Sequence, residues 1–327
     1  MGHYERVRRE GARAVVVDDI RRGQVTVRRR IWGVLNDGSP NATPIYIVGI
    51  QRSGTNMLLG AFAQSPEVEI QNESIDSRAF SDWALRDDDV IRSLIESSKH
   101  RCIIFKPLRD SHRVVHLMEG LGVPSRGRSI WIYRDASERI RSVNAKWPET
   151  FGYVGRRIAQ GHRGLETGGL SDERLAFVDS LDASTMTPAS GAALFWCLRN
   201  GLFFDLELDK RPDVALISYD RFVVEPERFM PQLCDFAGIP FRAEMVSGIS
   251  RKPPPPLAEF DGSKVRADRY DVALVRHEAP ASADEFHDVD PRISSLCADL
   301  QRRLDDEFEA RLTTGALAGR PLVPATE

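Results

Sequence analysis

A glycine-containing loop between two apolar segments is the part of this chain best suited to chemistry. Ile45–Val48 is a short apolar run typical of a buried parallel strand, and Asn56–Phe62 continues as the apolar first turns of a helix. A strand, a glycine turn and a helix in this order direct backbone N–H groups at an anion. The connecting segment Gly49–Thr55 also carries a cation, Arg52. We therefore expect it to bind a phosphate-like group, the alternative being a turn whose glycines serve packing only.

The loop has the glycine spacing of a nucleotide kinase without its catalytic side chains. Gly49 and Gly54 match the Gly-x4-Gly spacing of a Walker A loop. A kinase would place Lys at Thr55 to reach the outer phosphates, and Ser or Thr at Asn56 to hold magnesium. The positive charge lies instead inside the loop, at Arg52. This pattern favours transfer of a group that carries less charge than phosphoryl, and sulfuryl is such a group.

Two further apolar strands each end in a cation. The strand predicted over Arg101–Pro107 has Lys106 near its carboxyl end, and the strand over Ser129–Asp135 ends at Arg134. Open α/β sheets bind ligands at the carboxyl ends of their strands. Ser142 follows Arg134 by eight positions on the next predicted helix. An arginine fork and a serine hydroxyl at this separation are able to converge on one phosphate.

These motifs resemble the sulfotransferases that use 3′-phosphoadenosine 5′-phosphosulfate (PAPS). Arg52–Thr55 is similar to their 5′-phosphosulfate loop. Tyr133–Asp135, followed by Ser142, looks like their 3′-phosphate-binding segment. A strand ending in Tyr219-Asp220 and a helix ending near Gly238–Pro240 are also similar to the family pattern.

The resemblance covers residues 44–147 and 190–240 and implies both a fold and a reaction. The fold is α/β, three-layered, with a central and mostly parallel sheet flanked by helices, as in P-loop nucleotide hydrolases and sulfotransferases. The reaction moves the sulfuryl group of PAPS to a hydroxyl or, as a second choice, an amine. The acceptor is a small molecule, a carbohydrate or a lipid. Two alternatives stay open: an ATP-using P-loop kinase, and a catalytically silent nucleotide-binding member of the same fold.

The resemblance also implies roles for individual residues. Arg52 would contact the bridging and sulfonate oxygens of PAPS. Lys106 would stabilise the sulfonate or the leaving oxygen. The residues that would bind the nucleotide are Arg52, Ser53, Gly54, Thr55, Asn56, Arg134, Ser142, Tyr219, Arg251 and Lys252.

The catalytic base is a choice among three side chains. Many relatives carry a histidine two positions after the strand-end lysine, but this chain has Pro107 and Leu108 there. Other relatives use a carboxylate from the segment after the first helix, where Glu73 stands. We predict Glu73 as the base, with His112 and then His116 as alternatives.

Composition narrows the class of protein further. The chain has 327 residues and a net charge of −3, which argues against bulk binding of nucleic acid. We find no signal-peptide pattern and no run long enough to span a membrane, so we expect a cytoplasmic protein. The four cysteines are far apart in the sequence without a CxxC pair, so we expect buried thiols and no metal site. Oligomeric state is not predicted.

The rest of the chain is organised around this nucleotide-binding region. We expect an N-terminal arm over residues 1–43 and a single domain over 44–327. The glycine-rich segment 148–190 is predicted to be a lid over the acceptor, with a disordered loop as the alternative. Amphipathic helices are expected over Ala192–Leu208 and Pro291–Leu312.

Overall fold

A five-stranded parallel sheet forms the centre of the protein. The computed structural model describes Trp32 and residues 42–147, 149–247, 249, 288–315 and 317. The sheet strands are β1 (Thr43–Gly49), β2 (Val68–Asn72), β5 (Cys102–Lys106), β6 (Arg128–Tyr133) and β7 (Val214–Ser218), in the spatial order β2-β5-β1-β6-β7. A separate pair, β3 (Phe80–Ser81) and β4 (Ala84–Leu85), is antiparallel. The α/β class with a parallel central sheet is confirmed.

Helices connect and cover the sheet strands. The first five are α1 (Thr55–Phe62), α2 (Asp88–Ser97), α3 (Val114–Glu119), α4 (Ala136–Lys146) and α5 (Thr150–Ala159). The others are α6 (Asp172–Asp179), α7 (Pro188–Asp205), α8 (Tyr219–Phe222), α9 (Pro226–Ala237) and α10 (Pro291–Thr313). None of the helices within the described ranges is both long and apolar enough to cross a membrane.

The inner sheet strands are buried on both faces, which explains their unbroken apolar sequences, whereas the edge strand β2 is only partly buried. Every residue of β5 and of β7 is buried, and β1 is buried from Pro44 to Gly49. A parallel sheet buried on both sides selects such runs of β-branched and aromatic residues. Because all strands are parallel, their carboxyl ends meet at one edge. That edge holds the residues after the strand ends: Ile50, Glu73, Pro107, Arg134 and Tyr219.

Helix α7 differs from the sequence prediction in its surroundings. We expected an amphipathic helix over Ala192–Leu208, with one face toward water. The helix begins at Pro188, ends at Asp205 and is buried along nearly its whole length. It packs against α4, α5 and α10, so it has helices on several sides and no solvent-facing stripe. A helix that is apolar all round is typical of this central position.

The segment predicted to be a lid is largely helical. It contains α5 and α6, and α5 packs closely on α7, so the alternative of a disordered loop is wrong for this part. Its role as a lid stays a prediction. The predicted arm over residues 1–43 lies almost entirely outside the described residues, and so do Arg251 and Lys252.

The cysteines are buried thiols, as predicted, but they are not all distant from one another in space. All four are free, and burial raises the pKa of Cys102 and of Cys234 to about 12. Cys197 on α7 and Cys297 on α10 lie with their sulfur atoms 2.6 Å apart. Their separation of 100 positions hid this pairing from the sequence.

Gly49 is the residue at which the central strand turns into the loop. Its φ is +130°, and a Cβ atom there would lie 2.4 Å from the backbone oxygen of Ile132 on the neighbouring strand. Its N–H donates to the hydroxyl of Ser111, which also donates to its carbonyl. A side chain at this position would therefore force the central strands apart.

We predict that Gly49→Ala destabilises the fold by at least about 2 kcal/mol more than Gly161→Ala. Gly161 is a matched control because its φ is also positive, +86°, but a Cβ atom there would meet open space. Urea denaturation of the two variants measures the difference. Equal losses of stability would show that the contact with Ile132 does not constrain Gly49.

Candidate functional site

The loop after β1 contains two residues with left-handed backbone conformations. Arg52 has a φ of +71° and Gly54 a φ of +84°, and Gly54 is the residue that precedes the first turn of α1. Left-handed residues in such a turn bring successive N–H groups together as an anion-binding concavity. Ser53 between them is fully buried, and its Oγ has no hydrogen-bond partner in the structure. The loop thus has the donor set that a phosphate group requires.

The side chain of Arg52 joins the loop to helix α4. Its Nε and Nη2 donate to the Oγ of Ser142 over 3.0 and 2.9 Å. Arg52 itself is exposed, whereas Ser142 is buried. The two predicted anion-binding segments are therefore in direct contact, although 90 positions separate these residues.

Arg134 is buried and is held by groups on three sides. Its Nη2 donates to Glu138 over 3.0 Å, and its Nε lies 3.9 Å from Asp220. The guanidinium carbon is 5.0 Å from the centre of the Tyr219 ring. The Nε has no hydrogen-bond partner in the structure. Arg134 is thus oriented by its neighbours while a donor remains unused.

Tyr219 fills the space between the loop and Arg134. Sequence reasoning predicted a strand through Asp220, but β7 ends at Ser218 and Tyr219 opens α8, where Ser218 caps the first turn. A Cβ atom on Gly54 would lie 2.1 Å from the Tyr219 ring. Only glycine lets the ring approach the loop this closely. The predicted contact of Tyr219 with adenine stays a prediction.

Lys106 forms a second cluster at the end of β5. Its Nζ donates to the Oδ1 of Asn56 over 2.6 Å and lies 3.2 Å from the Oε1 of Glu73. Asn56 is in the first turn of α1, and Glu73 directly follows β2. Asn72 and Lys106 are register partners, which explains why the residues after these two strands meet. The structure therefore brings together the predicted leaving-group cation and the predicted base.

Glu73 has the environment of a carboxyl that holds its proton more tightly than usual. Burial raises its pKa, and the nearby Lys106 opposes this effect only in part. The Oε2 is buried without a hydrogen-bond partner, as are the Oδ1 of Asn72 and the Oγ of Ser74. These three atoms, for which the described residues provide no hydrogen-bond partner, belong to consecutive residues, of which Glu73 contacts Lys106.

The two histidines make different contacts. His112 packs against Gly168, whose Cβ, if present, would lie 2.7 Å from the imidazole ring. Burial and the charge of Arg199 lower the pKa of His112, and Asp110 counteracts them in part. His116 is 2.6 Å from Asp88 on α2. No described contact joins either imidazole to Lys106, whereas Glu73 touches it.

Four residues of the site were missed by sequence reasoning. Glu138 lies one turn before Ser142 on α4 and accepts from both Arg134 and Arg141. Asp220 accepts from the backbone N–H of Asp135, the residue that caps α4. The other two are Ser111 and Arg139. The spacing of Glu138 from Arg134, i to i+4, was a usable signal for an ion pair.

Comparison with known proteins gives distant structural similarity. No family model and no curated protein matches the chain. The solved structures to which the chain is similar include a sulfotransferase from Alicyclobacillus acidocaldarius, with a TM-score of 0.43 and 14% sequence identity. This match covers 82% of this chain and 96% of that protein. The sulfotransferase domain of the Synechococcus olefin synthase is similar with a TM-score of 0.40 and 15% sequence identity. This match covers 80% of this chain and 95% of that domain. The sulfotransferase domain of the curacin biosynthetic pathway is similar with a TM-score of 0.39 and 17% sequence identity. This match covers 63% of this chain and 77% of that domain.

The raised pKa of Glu73 predicts a dependence of stability on pH. Because the native state binds this proton more tightly than the unfolded chain, Glu73 contributes most below the ordinary carboxyl pKa of about 4.3. Its contribution is lost as the pH rises through the raised native pKa. The free energy of unfolding, relative to that of Glu73→Gln, should therefore decrease as the pH rises above about 4. Urea denaturation across this range measures it, and a difference that grows with pH would contradict the assignment.

Proposed function

We propose that this protein transfers the sulfuryl group of PAPS to a hydroxyl, or in second place an amine, of a small-molecule, carbohydrate or lipid acceptor. The observation that carries the proposal is the pair of hydrogen bonds from Arg52 to Ser142. These bonds join the turn after β1, which we assign to one phosphate, to Ser142 of α4, which we assign with Arg134 to another. A ligand with two separate anionic groups on one nucleoside fits this arrangement better than a linear triphosphate does.

The loop would hold the 5′-phosphosulfate and the α4 segment the 3′-phosphate. Backbone donors of Ser53, Gly54 and Thr55, with the side chain of Asn56, would surround the 5′-phosphate. Arg134, whose Nε is unused, would take the 3′-phosphate together with Ser142. Arg52 is exposed and would turn from Ser142 to the bridging and sulfonate oxygens when PAPS binds.

The reaction is an in-line displacement at sulfur. The acceptor oxygen forms a new bond to sulfur, the bond from sulfur to the bridging phosphate oxygen breaks, and adenosine 3′,5′-bisphosphate leaves. Charge develops on that leaving oxygen, as in phosphoryl transfer through a loose transition state. Arg52 and Lys106 are the cations available to stabilise it. Ionised Glu73 accepts the hydroxyl proton through its unpartnered Oε2, and its raised pKa makes it a stronger base than an exposed carboxylate.

A P-loop kinase is the second candidate. Its magnesium-binding hydroxyl would belong at Asn56, but the Oδ1 of Asn56 accepts from Lys106. A silent nucleotide-binding protein is the third candidate, and the contact between Glu73 and Lys106 is the observation that favours catalysis over it.

Calorimetry separates these candidates. We expect adenosine 3′,5′-bisphosphate to bind with an affinity that does not change when magnesium is removed, and ATP to bind more weakly. Incubation with PAPS labelled in its sulfate, over a panel of alcohols, sugars and amines, then tests for transfer. Magnesium-dependent preference for ATP would contradict the proposal. Binding without transfer to any acceptor would favour the silent protein.

Arg134→Ala should weaken the binding of adenosine 3′,5′-bisphosphate about tenfold to a hundredfold, because charged hydrogen bonds to a phosphate are lost. The fold should survive because Glu138 keeps its contact with Arg141. Arg126→Ala is the control, since Arg126 is exposed and pairs with Glu119 and Asp213. Unchanged affinity in Arg134→Ala would remove this residue from the site.

Glu73→Gln should lower turnover about a hundredfold to ten-thousandfold, because the variant has no base to take the acceptor proton. The affinity for adenosine 3′,5′-bisphosphate should stay within about threefold, since Glu73 faces the acceptor side. His112→Asn serves as the comparison and should keep most of its turnover. If Glu73→Gln is fully active and His112→Asn is not, the base is His112.

A further inference from the structure

Arg139 is a fully buried cation directly behind the phosphate-binding loop. It lies on α4, five positions after Arg134, and none of its surface is exposed. Its Nε donates to the carbonyl of Gln51 over 3.3 Å, and its Nη1 donates to the carbonyl of Ala192 over 2.9 Å. Its guanidinium carbon is 4.6 Å from the centre of the Phe151 ring.

This arginine lacks the partner that a buried charge normally has. None of the described carboxylates forms an ion pair with it, and its Nη2 is buried without a hydrogen-bond partner. Burying an unpaired charge is costly, and apolar residues of similar volume often serve stability equally well. An apolar residue could therefore fill this space, so the role of the arginine is to be sought in the groups to which it donates.

The contact with Gln51 fixes the direction of a loop amide. In a planar trans peptide the C=O and the following N–H point in opposite directions. Arg139 holds the Gln51 carbonyl toward the protein interior, so the N–H of Arg52 faces away from Arg139. Arg52 is also the loop residue with a φ of +71°. A left-handed non-glycine residue is held in place only by such surrounding contacts.

We propose that Arg139 is a positioning residue for the loop: it locks the Gln51–Arg52 peptide so that the Arg52 N–H binds the 5′-phosphate. This inference rests on the proposed function, because it assigns the loop to that phosphate. The buried charge of Arg139 supplies an additional attraction for the anion. An incoming phosphate compensates the mutual repulsion of the nearby cations.

The lowered pKa values of Arg139 and Lys146 agree with repulsion among the cations near the loop. Burial lowers the pKa of Arg139 to about 9, and the charge of Arg52 adds to the effect. Burial likewise lowers the pKa of Lys146 on the same helix, again with Arg52 as the second cause. The charge of Arg52 thus disfavours the charged form of both side chains, and a bound dianion would offset this repulsion.

The test compares two nucleotides in three proteins by calorimetry. Adenosine 3′,5′-bisphosphate and adenosine 3′-phosphate differ only in the 5′-phosphate, so the ratio of their affinities isolates its contribution. We expect that ratio to fall about tenfold in Arg139→Met relative to the wild type. In Arg139→Lys, which keeps the charge, we expect a smaller fall. Affinity for adenosine 3′-phosphate should change little.

Arg311→Lys is the matched control. Arg311 is also buried and donates to the carbonyl of Val214, but Val214 begins β7 and so lies at the opposite edge of the sheet. The ratio of the two nucleotide affinities in Arg311→Lys should equal that of the wild type. If Arg139→Met does not fold, the affinity ratios of Arg139→Lys and Arg311→Lys are compared instead. A lower ratio in Arg139→Lys then supports the positioning role of Arg139, and equal ratios contradict it.

The outcomes distinguish this inference from the function on which it rests. A reduced ratio in the Arg139 variants alone supports the positioning role. Equal losses for both nucleotides, or an unchanged ratio in a folded variant, overturn it and leave the proposed function intact. A wild type that binds neither nucleotide overturns the proposed function, and the inference with it.

Discussion

The contact between Arg52 and Ser142 is the interaction on which the account of this site depends. It joins the turn after β1 to the helix after β6, two neighbouring strands of a parallel sheet. Each segment alone is a common anion-binding element, and many proteins contain one. Their direct contact is what supports our proposal of a ligand with two anionic groups on one nucleoside. Tyr219 supports the arrangement by packing between Gly54 and Arg134.

The charges around this contact are arranged in two layers. Carboxylates of Glu138 and Asp220 contact Arg134 and orient it without occupying all of its donors. Behind the loop, Arg139 contacts backbone carbonyls and an aromatic ring, and none of the described carboxylates pairs with it. At the acceptor side, Lys106 and Glu73 form an ion pair in a buried setting. The arginine-rich cluster is thus separate from the pair Lys106–Glu73, and we assign the nucleotide to the first and proton transfer to the second.

The sequence was sufficient for the sheet and for the cations at strand ends, because buried parallel strands have unbroken apolar runs. Gly49, Lys106 and Arg134 all stand where strand ends were predicted. The sequence was insufficient for features that depend on tertiary packing. Helix α7 is buried on all sides, and the contact between Cys197 and Cys297 joins residues 100 positions apart. Arg139 was missed because a charged residue on an apolar helix face has no sequence signature that separates burial from exposure.

The most direct test is a crystal structure with adenosine 3′,5′-bisphosphate. We expect the 5′-phosphate on the backbone amides of residues 52–55 and the 3′-phosphate on Arg134 and Ser142, with the bonds from Arg52 to Ser142 broken or shared with the ligand. A nucleotide bound elsewhere, or one that reaches only one of these two segments, would contradict it.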